Sequence, residues 1–122
     1  MPIKVGNVVQ AKVATITRST TTDTLLFTLP ANAMVIEATV SGVISNAATT
    51  ATVTLKSRPV SGATALANFG VADVKANAYG HTTLIGIAND RQSEPQHITG
   101  VYAETGTAST SGGPYTITVR YL

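Results

Sequence analysis

Pro114-Tyr115-Thr116-Ile117-Thr118-Val119-Arg120-Tyr121-Leu122 alternates without a break. On an extended backbone Tyr115, Ile117, Val119 and Tyr121 fall on one side, and Thr116, Thr118 and Arg120 on the other. Successive side chains of a strand point to opposite faces, so this spacing builds one buried face and one wet face.

The same arithmetic recurs along the chain. Residues 8–17 place Val9, Ala11 and Val13 on one face, with Ile16 out of step, as in an edge strand or an arm that needs a partner surface. After a polar connection over 18–23, Leu25, Phe27 and Leu29 alternate with Thr24 and Thr28 until Pro30, which has no N–H for a ladder, stops the strand. Ala31-Asn32 turns the chain into a strand that points Met34, Ile36, Ala38 and Val40 inward, and Gly42 closes it or opens a bulge. A loop at 45–48 precedes Ala51, Val53 and Leu55, which oppose Thr52, Thr54 and Lys56; residues 58–62 form the next break. Residues 63–78 have no single reading, since Ala65, Leu66, Phe69 and Val71 fit a short helix or an irregular strand, while Gly70 argues against a long helix. Residues 79–88 are extended, 89–95 form a polar loop tip, 97–104 a strand interrupted at Gly100, and 105–113 a Gly/Ser/Thr loop. Seven or eight short strands with regular turn signals and no amphipathic helix predict an all-β chain. The expected fold is an antiparallel two-sheet β-sandwich, jelly-roll-like, with an extended N-terminal arm or edge strand over residues 1–22 and the sandwich over 23–122.

At 122 residues the chain has the size of one domain. It contains no cysteine, so disulfides are excluded and the redox compartment is left open. Charged residues make up 11% of the chain and the net charge is +2. Lys4, Lys12, Arg18, Lys56, Arg58, Lys75, Arg91 and Arg120 are scattered, whereas a nucleic-acid partner calls for a basic stripe with stacking aromatics. So sparse a charge, with abundant Thr and Ala, suits a surface held in an assembly, where charges would have to be desolvated. The first residues lack the apolar core of a signal peptide, and no run approaches the roughly 20 apolar residues that span a bilayer. The expectation is a protein made in the cytoplasm without a leader, with no nucleic-acid and no membrane partner.

No segment gathers groups able to do chemistry. His81 and His97 are the two histidines, each in an ordinary strand context, and there is no Gly-x-Ser-x-Gly elbow. Asp90 and Glu94 share a loop with Asn89, but a hard cation wants six to eight oxygens at one place and Arg91 would repel it. A glycosidase pair would need two carboxylates in a cleft with aromatics to stack sugars, and the chain has no Trp. Gly112-Gly113-Pro114 precedes a strand rather than a helix, so it is a turn and not a phosphate cradle. Tyr115 and Tyr121 fit a core edge. Catalytic, cofactor and metal residues are therefore expected to be none, and cofactors none.

The stretch Asp23-Thr24-Leu25-Leu26-Phe27-Thr28-Leu29-Pro30-Ala31-Asn32-Ala33-Met34-Val35-Ile36-Glu37-Ala38-Thr39-Val40 resembles small virion proteins of tailed bacteriophages. In these a strand ending in Thr-Leu-Pro and a small-residue turn leads into an inward Val/Ile strand. A Thr-rich strand like Thr49 to Leu55 follows, and an alternating strand like Tyr115 to Tyr121 comes last. The likeness covers about half the chain and is greatest to head decoration (cement) proteins of jelly-roll type. It implies a virion protein on the capsid exterior that forms a homo-oligomer, a trimer, and clamps the major capsid protein without catalysis. Residues 1–22 are then expected to lie on a neighbouring subunit, with Ile3, Val5, Val8 and Val9 as apolar contacts. One alternative is a tail or head-fibre connector or receptor-binding module that uses loops 89–95 and 105–113. A further alternative, of another class, is a carbohydrate-binding β-sandwich module.

Overall fold

The computed structural model describes residues 8–61, 67–75, 79–81, 83–84 and 92–122. The regular elements among them are strands: β1 (Gln10–Ile16), β2 (Thr24–Leu29), β3 (Val35–Gly42), β4 (Thr50–Pro59), β5 (Ala67–Asp73), β6 (Tyr79–His81), β7 (Thr83–Leu84), β8 (Gln96–Thr105) and β9 (Tyr115–Tyr121). They form two antiparallel sheets, ordered β1-β9-β3-β6 and β2-β8-β4-β5-β7. The order is that of one long ribbon folded back on itself. β1 pairs with β9, β2 with β8, β3 with β6 and β4 with β5. Curling the ribbon then sets β9 against β3 and β8 against β4. This is the jelly-roll arrangement, with β7 added beside β5 at the margin of the second sheet.

The two inner faces meet in a single apolar core. β9 contributes Tyr115, Ile117, Val119 and Tyr121, and β4 contributes Ala51, Val53 and Leu55, all buried as their alternation requires. Ala38 and Val40 of β3, Ile98 and Tyr102 of β8, Ile16 of β1, Leu29 of β2 and Phe69 of β5 pack with them. Each buried Val, Leu or Ile side chain is worth about 1.5–3 kcal/mol relative to leaving it in water, which makes this core the main source of stability. Tyr102 and Tyr115 join the sheets by stacking, with ring centroids 5.8 Å apart and planes inclined by 11°.

Several expectations are corrected. Leu25 was expected inward and is 53% exposed, because a bulge at Leu26 advances the register between Leu25 and Phe27. Leu26 takes the inward place, packed against the core. Gly100 does not interrupt its strand, since β8 runs on to Thr105, and its missing side chain makes the room that Leu26 fills. A Cβ there would lie 2.9 Å from Leu26 Cδ1. Met34 and Ile36 were also expected inward and are exposed. A second bulge between Val35 and Glu37 turns Val35 toward the core in their stead. Residues 58 and 59 belong to β4 rather than to a break, and the ambiguous segment resolves in part into β5, with Gly70 inside the strand opposite Leu55. Residues 62–66, 76–78 and 85–91 lie outside the described residues, as do residues 1–7. Residues 10–16, expected within an arm or edge strand, form the outermost strand of the first sheet.

Candidate functional site

At one end of the sandwich the connections 17–23, 43–49 and 106–114 are tied into a single unit. Arg18, just past β1, spreads its guanidinium over the last of these. Nε donates to the Gly112 carbonyl at 3.2 Å, Nη1 to the Ser109 carbonyl at 3.1 Å, and Nη2 to the Thr110 carbonyl at 3.3 Å. The planar, five-donor fork of an arginine suits three carbonyls spread along a loop. Asn46 grips the same loop from the other side. Its Oδ1 accepts from the Thr110 and Ser111 amides at 2.8 and 3.0 Å, and its Nδ2 donates to Thr110 Oγ1 at 2.9 Å.

Glu104, at the end of β8, completes the tie. Its carboxylate accepts from the Ser109 amide and the Ser109 hydroxyl, each at 2.6 Å. Those bonds to Ser109, the hydroxyl's first, hold its pKa below the ordinary carboxylate value. Beneath the loop, Ser45 Oγ and Tyr102 Oη share a hydrogen bond of 2.7 Å. Tyr115 Oη has no hydrogen-bond partner among the described residues, and burial pushes its pKa up. Gly112 passes directly over it with φ +133°, where a Cβ would stand 2.8 Å from Tyr115 Oη.

This constellation is built for holding rather than for chemistry. Arg18 and Glu104 border a shallow depression with Thr17, Ser19, Ser109 and Gly112, but their polar atoms are spent on the loop. A carboxylate whose pKa is lowered has moved away from the neutral range in which a general base works best. His97 Nδ1 lies 2.8 Å from Thr28 Oγ1 on the second sheet, whereas the His81 backbone pairs in register with Thr39 on the first, so the two histidines belong to different sheets. Asp23 pairs with Lys56 at 3.4 Å and Glu37 with Arg120 at 3.3 Å. Glu94 accepts from the Ser61 hydroxyl, while Asn89, Asp90 and Arg91 lie outside the described residues.

The surface is the other candidate. On the outer face of the first sheet, Thr116 and Thr118 of β9 stand beside Thr39 and Ser41 of β3, and the Glu37–Arg120 pair neutralises itself. β1 borders this face, and its apolar row points out rather than in. The register sets Ala11 against Arg120 and Val13 against Thr118, and Val13 is 61% exposed, while Ile16 turns inward against Tyr115. Of the residues expected to make contacts, Val8 and Val9 lead into β1 and are 59% and 52% exposed; Ile3 and Val5 lie outside the described residues. Of the loops weighed as a binding surface, residues 92–95 lead into β8 and residues 106–113 leave it, at opposite ends of a ten-residue strand, about 33 Å; residues 89–91 lie outside the described residues.

The fold is similar to that of a chain in the acidic stable capsid structure of Helicobacter pylori bacteriophage KHP30, with a TM-score of 0.61 and 14% sequence identity. The match covers 97% of this chain and 90% of that one. At that identity the likeness is one of fold. No family model and no curated protein matches the sequence.

Proposed function

We propose that this chain is a non-enzymatic structural protein of a phage virion, which decorates the outside of the capsid and cements it. The observation that carries the reading is the end-to-end fold likeness to a chain of a phage capsid structure, over 97% of this chain. Three features of the molecule support it. The side chains that converge, Arg18, Asn46 and Glu104, rigidify a loop. The outer face of the first sheet carries Thr and Ser hydroxyls and a self-neutralising Glu37–Arg120 pair, so docking desolvates little charge. Its border strand turns Ala11 and Val13 to solvent, and Val9 just before it is exposed as well. The proposed partners are other copies of the chain and the major capsid subunits. Each copy adds an interface that a shell under internal pressure must break before it bursts, and many weak contacts on one closed shell act together by multivalency.

Co-sedimentation tests the reading. The purified chain is expected to pellet saturably with empty heads of the phage that encodes it and not with isolated tails. A chain lacking residues 1–6 should keep its fold, because β1 starts at Gln10, and lose head binding if the N-terminal segment is the clamp. Binding to tails alone would overturn the capsid reading in favour of a tail or fibre module. The rigid 106–114 loop, presented at one end of the sandwich, is the surface such a module would use.

A further inference from the structure

We propose that β1 joins two copies of this chain by antiparallel strand pairing across a two-fold axis centred on Val13. The inference deepens the self-association in the reading above and rests on it. Among the described residues β1 pairs with β9 alone, so its other edge carries a row of open backbone donors and acceptors. Sheet margins are ordinarily blunted by proline, bulges or several charges. β2, the corresponding margin of the second sheet, has its bulge at Leu26. β1 has neither proline nor bulge: its register against β9 is regular over all seven residues, and Lys12 is its single charge.

The occupant follows from the side chains. A two-fold axis perpendicular to the sheet keeps each strand's inner and outer faces matched, which restricts the pairing to a few centres. Centring on Lys12 would set two lysines directly opposite each other, which is destabilising. Centring on Ala14 would place Lys12 against the apolar Ile16. Centring on Val13 sets Val13 against Val13, Ala11 against Thr15 and Lys12 against Ala14. Val13 is the midpoint of β1, so this centre pairs all seven residues, covers the exposed Val13 with its own copy, sets Gln10 against Ile16 and keeps the like charges apart. The strand is self-complementary, and its one charge gives it no pattern with which to select a foreign strand. The product is a continuous sheet, β6-β3-β9-β1 meeting β1-β9-β3-β6, closed by an isologous contact.

One strand pair buries less than the roughly 1,600 Å² of a standard interface, so pairing is expected at about 10–100 μM. Sedimentation equilibrium of the full chain over that range should show a dimer. Val13→Glu and Val13→Lys should each be monomeric, since either opposes like charges at the centre, and an equimolar mixture of the two should recover the dimer. Val13 is exposed, so both variants should fold, with unchanged circular dichroism. A wild-type monomer or trimer at about 100 μM, or a dimer that Val13→Glu leaves intact, would overturn the proposal. Head binding is read in parallel: a monomeric wild-type chain that still pellets with heads overturns the pairing and leaves the virion reading standing.

Discussion

Tyr115 shows how one residue can serve packing at the expense of hydrogen bonding. Its ring stacks on Tyr102 across the two sheets, but its hydroxyl is buried without a partner while Ser45 is engaged by Tyr102. An unsatisfied buried hydroxyl costs about 1–3 kcal/mol. Tyr115→Phe should therefore leave stability at neutral pH unchanged or raise it, by up to about 1 kcal/mol in chemical denaturation. The pH dependence has a definite sign. The folded-state pKa lies above the ordinary phenol value near 10.0, so the unfolded chain loses its proton first and stability falls as pH rises past that value. The variant should flatten that alkaline limb, and a large loss at neutral pH would mean that the hydroxyl is bonded. Glu104 works in the opposite direction. Its folded-state pKa is depressed by Ser109, so its contribution is present above the ordinary value of 4.5 and is lost as pH falls through the lower folded-state value. Melting curves of Glu104→Gln should show a shallower acid limb than those of the parent chain.

At the scale of elements, Leu26 and Gly100 make one unit. The bulge in β2 turns Leu26 inward, and the missing Cβ on β8 receives it. Gly100→Val should destabilise the fold by about 1–3 kcal/mol, the range for overpacking. Combined with Leu26→Ala the loss should be less than additive, because the second change vacates the contested space. Additive losses in a double-mutant cycle would break the link. The same pair marks the limit of what alternation can reveal. β9 was legible because it keeps strict period two from end to end, and β4 was legible as far as Ser57, where its alternation stops and Arg58-Pro59 reads as a break. β2 and β3 were legible as strands but misassigned by face at Leu25, Met34 and Ile36, because a bulge shifts the phase and no residue in these stretches announces it. In β1 the row Val9, Ala11, Val13 was visible, but which side faces the core is settled by pairing with β9. The loop tie was not legible at all. Arg18 meets residues 109–112 and Asn46 meets 110 and 111 across more than sixty positions of sequence, and local periodicity carries no record of such contacts.

The whole molecule is a ribbon wound into two sheets, rigid at one end and left open along one margin. Its charges are few: Lys56 pairs with Asp23 and Arg120 with Glu37, Arg18 and Glu104 are spent on the loop, and the outer face of the first sheet offers hydroxyls and small apolar side chains. In the proposed reading this surface is covered by neighbouring subunits. The most direct measurement is the temperature at which DNA-filled heads stripped of this chain release their genome, with and without the purified chain added back. The account predicts that release moves to higher temperature and saturates once a fixed number of copies is bound per head. Release at the same temperature with the chain bound, or no binding to heads at all, would contradict it.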